Sequence, residues 1–170
     1  MSRRAQQRPS VTQPRSKPYR FIPLTQNKIT TVDIRDYKFL SQWCWYALWN
    51  RHTKSFYAVR NIKLPNGKRT LIRMHRVILD CAKGEIGDHR NHDTLDNRRT
   101  NLRKCSLTQN HQNRKSNGAH FHKASGKWCA VIYFSKKKKH LGLFHSREDA
   151  VKAYNEAAKK YHGEFAWLAS

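Results

Sequence analysis

The spacing of alanines and tyrosines between Ser146 and Gly163 constrains this chain more than any other feature. Ala150, Ala153, Tyr154, Ala157, Ala158 and Tyr161 fall at i, i+3, i+4, i+7, i+8 and i+11, one stripe of an α-helix. Both ends of that helix are marked: Ser146 is placed to cap, Asp149 stands three residues on to close a capping box, and Gly163 follows the last turn. The many alanines let the helix lie close on its partner, and the partner is a sheet. Trp128, Ala130, Ile132 and Phe134 alternate with Cys129, Val131 and Tyr133. Leu141 and Leu143 repeat the pattern in the next strand, with Lys138 and His140 on the opposite side. Three short antiparallel strands with one packed helix are expected, the other sheet face being left basic.

A Ser116-Asn117-Gly118 turn separates this unit from a region of different character. Residues 87–114 are crowded with Asp, His, Asn and Arg, which a pure scaffold rarely needs. Further upstream, an apolar segment carries Trp43, Trp45 and Trp49, read as core in preference to base-stacking platforms. Strand-like runs at 56–62 and 69–74 flank Pro65-Asn66-Gly67, a strong hairpin signal. His75 follows the second run and reads as structural. Residues 1–20 hold Arg3, Arg4, Arg8, Arg15, Lys17 and Arg20 with Pro9, Pro14 and Pro18 and no acid, the composition of a disordered basic arm suited to phosphate contact. The expected fold is α+β: an arm over 1–20, a domain over 21–117 entered through a β-hairpin scaffold, and a second domain over 118–170.

Charge narrows the partners. Lys and Arg number 35 against 11 Asp and Glu, so the chain carries a formal +24 and a polyanion is the first partner to consider. Nucleic acid leads, RNA being supported by charge alone, and an anionic membrane surface trails. No stretch approaches the roughly 18 apolar residues of a membrane span, and the basic N-terminus lacks a signal peptide's apolar run. A soluble intracellular protein is expected. Cys44, Cys81, Cys105 and Cys129 form no C-x-x-C pair, so no structural zinc is expected.

The polar stretch contains the groups that phosphodiester cleavage requires: a base to activate water and a cation to stabilise the charge that develops. Asp88 and His89 are neighbours in an expected strand, where adjacent side chains point to opposite faces, so one can hold metal while the other addresses water. Asn101 and Asn110 follow, the latter on a helix expected to begin near Thr108. Asp93 and Asp96 read as turn formers, and Asn97 and Asn113 as secondary contacts.

Asp88-His89, Asn101 and Asn110, with the segment from Asp93 to Arg103 between them, resemble the ββα-metal (His-Me) finger of phage and intron-type HNH homing endonucleases. Met74-His75-Arg76 resembles the helix start preceding that finger. Gly126-Lys127-Trp128, His140-Leu141-Gly142 and the residues from Glu148 to Ala158 are similar to the APETALA2 (plant ethylene-response-factor) DNA-binding domain. The two resemblances together span about 29–168 and place the finger at about 86–114. They imply a DNA phosphodiester hydrolase, nicking or double-strand, acting on double-stranded DNA in a bacterial host cytoplasm and of bacteriophage or mobile-element origin. No repeat or coiled-coil pattern fixes a symmetry, and a monomer is expected. His89 would be the general base, Asp88 and Asn110 would bind one Mg²⁺ or Mn²⁺ with no other cofactor, and Asn101 would hold the finger loop and orient His89. Gly87 stands where the family carries an apolar strand residue, and Arg90 and His92 also depart from it, His92 being a rival base or extra ligand. Lys123, Tyr133, Lys138 and His140 would face DNA from the C-terminal sheet, with Arg98 and Arg103 adding contacts from the finger. A competing expectation is a sequence-selective DNA-binding regulator with an inactive finger.

Overall fold

Hydrogen bonds between Tyr19–Pro23 (β1) and Ile29–Asp33 (β2) open the fold in a computed structural model that describes residues 8–170. The first part of the expected basic arm, residues 1–7, lies outside the described residues. Its last part leads directly into β1, where the Gln13 amide donates to the Phe21 carbonyl (2.8 Å) and accepts from the Phe21 amide (2.9 Å). Asp33 then begins the helix Ile34–Leu40 (α1).

The hairpin expected around Pro65-Asn66-Gly67 is present, with Gly67 at φ +80° closing it, the positive φ that glycine adopts without steric cost. It is wider than the sequence suggested: Tyr46–Asn50 (β3) joins Ser55–Lys63 (β4) and Arg69–Arg73 (β5) in an antiparallel order β3-β4-β5. The helix Met74–Ile78 (α2) starts where Met74-His75-Arg76 suggested. The Arg76 guanidinium donates to the Glu85 and Ala82 carbonyls and so aims the chain into Ile86–His89 (β6). Leu102–Cys105 (β7) returns antiparallel to it. Ile22, Leu24, Val32, Leu40, Trp45, Met74 and Leu102 share one apolar core. Of the three tryptophans read as core, Trp45 is fully buried and Trp43 packs beside it, whereas Trp49 is 50% exposed.

The chain divides after Cys105, so the helix Leu107–Gln112 (α3) begins the second unit instead of ending the first. Ser106 caps α3 in a capping box with Gln109. The rest of that unit follows the sequence reading closely. Ala119–His122 (β8), Lys127–Phe134 (β9) and Lys137–Phe144 (β10) form an antiparallel sheet of order β10-β9-β8, and Arg147–His162 (α4) packs on it. Ser146 accepts from the Asp149 amide at the start of α4, and Gly163 ends it. One detail departs from strict alternation. A bulge between His140 and Gly142 shifts the register, so Leu141 and Phe144 pack on the helix side and Leu143 turns out to 41% exposure. The chain is thus α+β, with several small antiparallel sheets and four α-helices among the described residues. No helix among them is long and apolar enough to cross a membrane.

Candidate active site

Register fixes the first pair. In the β6–β7 hairpin Asp88 stands opposite Arg103 and His89 opposite Leu102, and as strand neighbours Asp88 and His89 project to opposite faces. Both are buried, Asp88 at 8% exposure and His89 at 4%. A carboxylate so placed needs a partner, and Arg103 supplies one: its Nε lies 2.9 Å and its Nη2 2.8 Å from Asp88 Oδ2. Arg103, expected as a DNA contact, is therefore buried and engaged with Asp88.

The loop joining the two strands is built from short polar side chains bonding to nearby backbone. Asn91 and Asp93 accept from amides two residues on, as the turn-former reading of Asp93 anticipated. Asp96 accepts from the Arg98 amide and takes both ends of the Arg98 guanidinium at 2.7 Å, which leaves Arg98 partly exposed beside Tyr19. Asn101 spans the loop as expected: it accepts from the Asn91 amide (3.0 Å), donates to the Asp96 carbonyl (2.8 Å), and its own carbonyl accepts from the Arg90 amide. The other half of its expected role falls to a neighbour. Asn97 Oδ1, not Asn101, lies 3.2 Å from His89 Nε2.

The loop is also laid along β2 as if it were a further strand. The Thr31 amide donates to Leu95, the Asn97 amide donates to Thr31, and Thr31 bridges Asp96 in parallel. Arg99 adds a clamp, its guanidinium bidentate to Asp36 at 2.8 Å and its amide on Asp33 at 2.7 Å. Aspartates of β2 and α1 thus hold the loop that carries the site.

Around His89 the packing is aromatic. The buried His75 ring meets the His89 ring edge-on at 4.8 Å, and Tyr57 touches both, at 5.8 and 6.1 Å between ring centres. Gly87 explains itself in this setting: a Cβ there would stand 2.7 Å from His75 Cδ2 and 3.1 Å from Leu79 Cδ1. The glycine that departs from the family pattern is the space in which His75 sits. Burial, followed by the nearby positive charges, drives the His75 pKa down to about 2. His89 is lowered too, chiefly by burial, against the Asn97 hydrogen bond and the carboxylates of Asp88, Asp93 and Asp96. Its imidazole is neutral near pH 7 and can accept a proton.

The remaining candidates lie in the second unit. Asn110 sits in the middle of α3. Tyr133 pairs with Lys138 across β9 and β10, and Tyr133 is 65% exposed. Lys123 and His140 are likewise exposed, Lys123 in the turn between β8 and β9. Lys139 points the other way, donating to the Tyr161 hydroxyl of α4 at 2.8 Å. All four cysteines are thiols, with Cys44 exposed. No cluster of three or more His, Cys, Asp or Glu suited to a metal occurs among the described residues. No family model, characterised protein or solved structure matches the chain.

Proposed function

We propose that this protein is a metal-dependent DNA endonuclease of the HNH type. The observation that carries the reading is the adjacent buried pair on β6: a neutral imidazole, His89, with a carboxylate, Asp88, directed to the other face. Burying an imidazole beside a carboxylate costs desolvation, and hydrolysis needs both a base and a cation ligand. β6, β7 and α3 also follow one another in the order of a ββα-metal finger.

His89 takes the proton of the attacking water. Asp88 would give a carboxylate oxygen to one divalent cation, a hard ligand suiting Mg²⁺ or Mn²⁺, and Asn110 is the amide-oxygen donor that the family resemblance adds. That ion would stabilise the charge on the phosphate and the departing oxygen. Asn101 holds the loop that follows the pair in its folded shape. The acid-poor chain, with its excess of cations, draws in double-stranded DNA. The open face of β8–β10, with Tyr133, Lys138 and His140, and the neighbouring Lys123 add phosphate contacts and modest base selectivity.

Nicking of supercoiled plasmid with Mg²⁺ or Mn²⁺ tests the reading. His89→Ala is expected to lower the rate by about 10²–10⁴-fold, the usual contribution of a positioned base. Undiminished cutting by that variant, or no cutting with either metal, rejects it. The regulator alternative draws on one observation, the engagement of Asp88 by Arg103. Footprint protection without any metal-dependent nick would favour that reading.

A further inference from the structure

A chain of hydrogen bonds runs from β2 to the His89 ring, and its polarity is set at the far end. The Leu95 carbonyl can only accept, and it takes both the Thr31 amide (2.9 Å) and the Thr30 hydroxyl (2.7 Å). With its proton committed there, Thr30 Oγ1 meets Asn97 as an acceptor, so the atom of Asn97 at 2.8 Å from it is the amide nitrogen. The Asn97 oxygen therefore faces His89, where Nε2 lies 3.2 Å away. An amide oxygen cannot donate, so Nε2 must carry a hydrogen. Thr30 is fully buried and Asn97 is 1% exposed, which leaves neither group the option of turning to bulk water.

We infer that Thr30 and Asn97 are positioning residues that hold the His89 imidazole as its Nε2–H tautomer, making Nδ1 the lone-pair nitrogen that serves as base. The inference rests on the nuclease reading for the word base, but the tautomer itself does not. Asn97 plays the part that a buried carboxylate plays elsewhere, orienting the ring through the nitrogen that does no chemistry. Thr30, contributed by a strand far upstream of the β6–β7 hairpin, decides which way round Asn97 stands. A short polar side chain in the asparagine-rich loop offers no local sign of this, since its partner is 67 residues away.

The test is nitrogen NMR of protein labelled in its histidine rings, with the His89 signals identified by their loss in His89→Gln. The wild-type ring is expected to show hydrogen on Nε2 and none on Nδ1. Thr30→Val keeps the shape and removes the hydroxyl, and the signals are expected to move toward a mixture of tautomers. Thr30→Ser restores the hydroxyl and the wild-type pattern. Plasmid nicking is expected to follow the tautomer, with a loss of about 10–100-fold in Thr30→Val that Thr30→Ser recovers. A wild-type ring protonated on Nδ1 overturns the inference, as does a Thr30→Val protein, folded by its amide spectrum, whose tautomer is unchanged. The expected tautomer in a protein that fails to cut with either Mg²⁺ or Mn²⁺ supports the relay and removes the nuclease reading.

Discussion

The β6–β7 hairpin and the C-terminal unit bury opposite kinds of side chain. Around the hairpin, Asp88, His89, Thr94, Asp96, Asn97, Asn101 and Arg103 are all withdrawn from water. Under α4, the buried set is Ala130, Ile132, Ala150, Val151, Tyr154, Ala157 and Ala158. An apolar layer of that kind folds through burial alone, at about 25 cal/mol per Å². A polar one must match each donor with an acceptor, and its net return is smaller because the same groups were hydrated in the unfolded chain. The contrast teaches where the chain accepts constraint for reasons other than folding. The C-terminal sheet keeps its polar groups outside, where they can meet a partner, while the hairpin keeps its polar groups inside, where they can be held to a geometry.

The sharpest way to break this contrast is to disarm the buried ion pair. Arg103→Met removes the cation that touches Asp88, and a loss of about 3–5 kcal/mol is expected in urea unfolding of the N-terminal unit. If Asp88 binds a divalent ion, millimolar Mg²⁺ should return part of that loss, by ligand linkage, and none in Asp88→Asn/Arg103→Met. Gly87→Ala drives a methyl into His75 and should destabilise the same unit by up to about 3 kcal/mol. Combining it with His75→Ala, which empties the space, is expected to recover part of that cost. Acid offers a third probe. Because His75 stays neutral when folded, down to about pH 2, while an unfolded histidine protonates near 6.5, the unfolded chain binds the extra proton below 6.5. Its contribution is full above that pH and is lost as pH falls, by about 2 kcal/mol between pH 7 and 5. His75→Gln should flatten that slope. The smallest effect belongs to the other unit: Ser146→Ala removes the α4 cap and should lower its melting stability by about 1 kcal/mol, with no change in nicking at saturating DNA.

What the sequence disclosed differs between the two regions for a physical reason. The period of α4, its cap and the alternation of β9 are short-range patterns, each legible within a few turns or residues. Only the bulge at His140/Gly142 escaped, because a single inserted residue leaves composition unchanged while it exchanges Leu143 for Phe144 on the inner face. Near the hairpin, Asp88, His89 and Asn101 were recognisable from type and spacing. The β1–β2 ladder and β3 were not, their strands being five residues each and interrupted by polar positions. Tyr57 against His89 and Thr30 behind Asn97 were not, being brought there only by tertiary pairing, while Asn97 was read only as a secondary contact and His75 only as structural. Gly87 illustrates the limit: alone it is an anomaly in a strand, and beside His75 it is a necessity.

The laying of the loop along β2 bears on how this fold could be rebuilt. Thr31 exchanges backbone hydrogen bonds with Leu95 and Asn97, and Asp33 and Asp36 grip Arg99. The β6–β7 hairpin is consequently no portable cassette. Grafted onto another scaffold as residues 86–105, it would leave behind the strand that shapes its loop, so any minimal or chimeric protein that is to keep the loop's shape must begin upstream of β1.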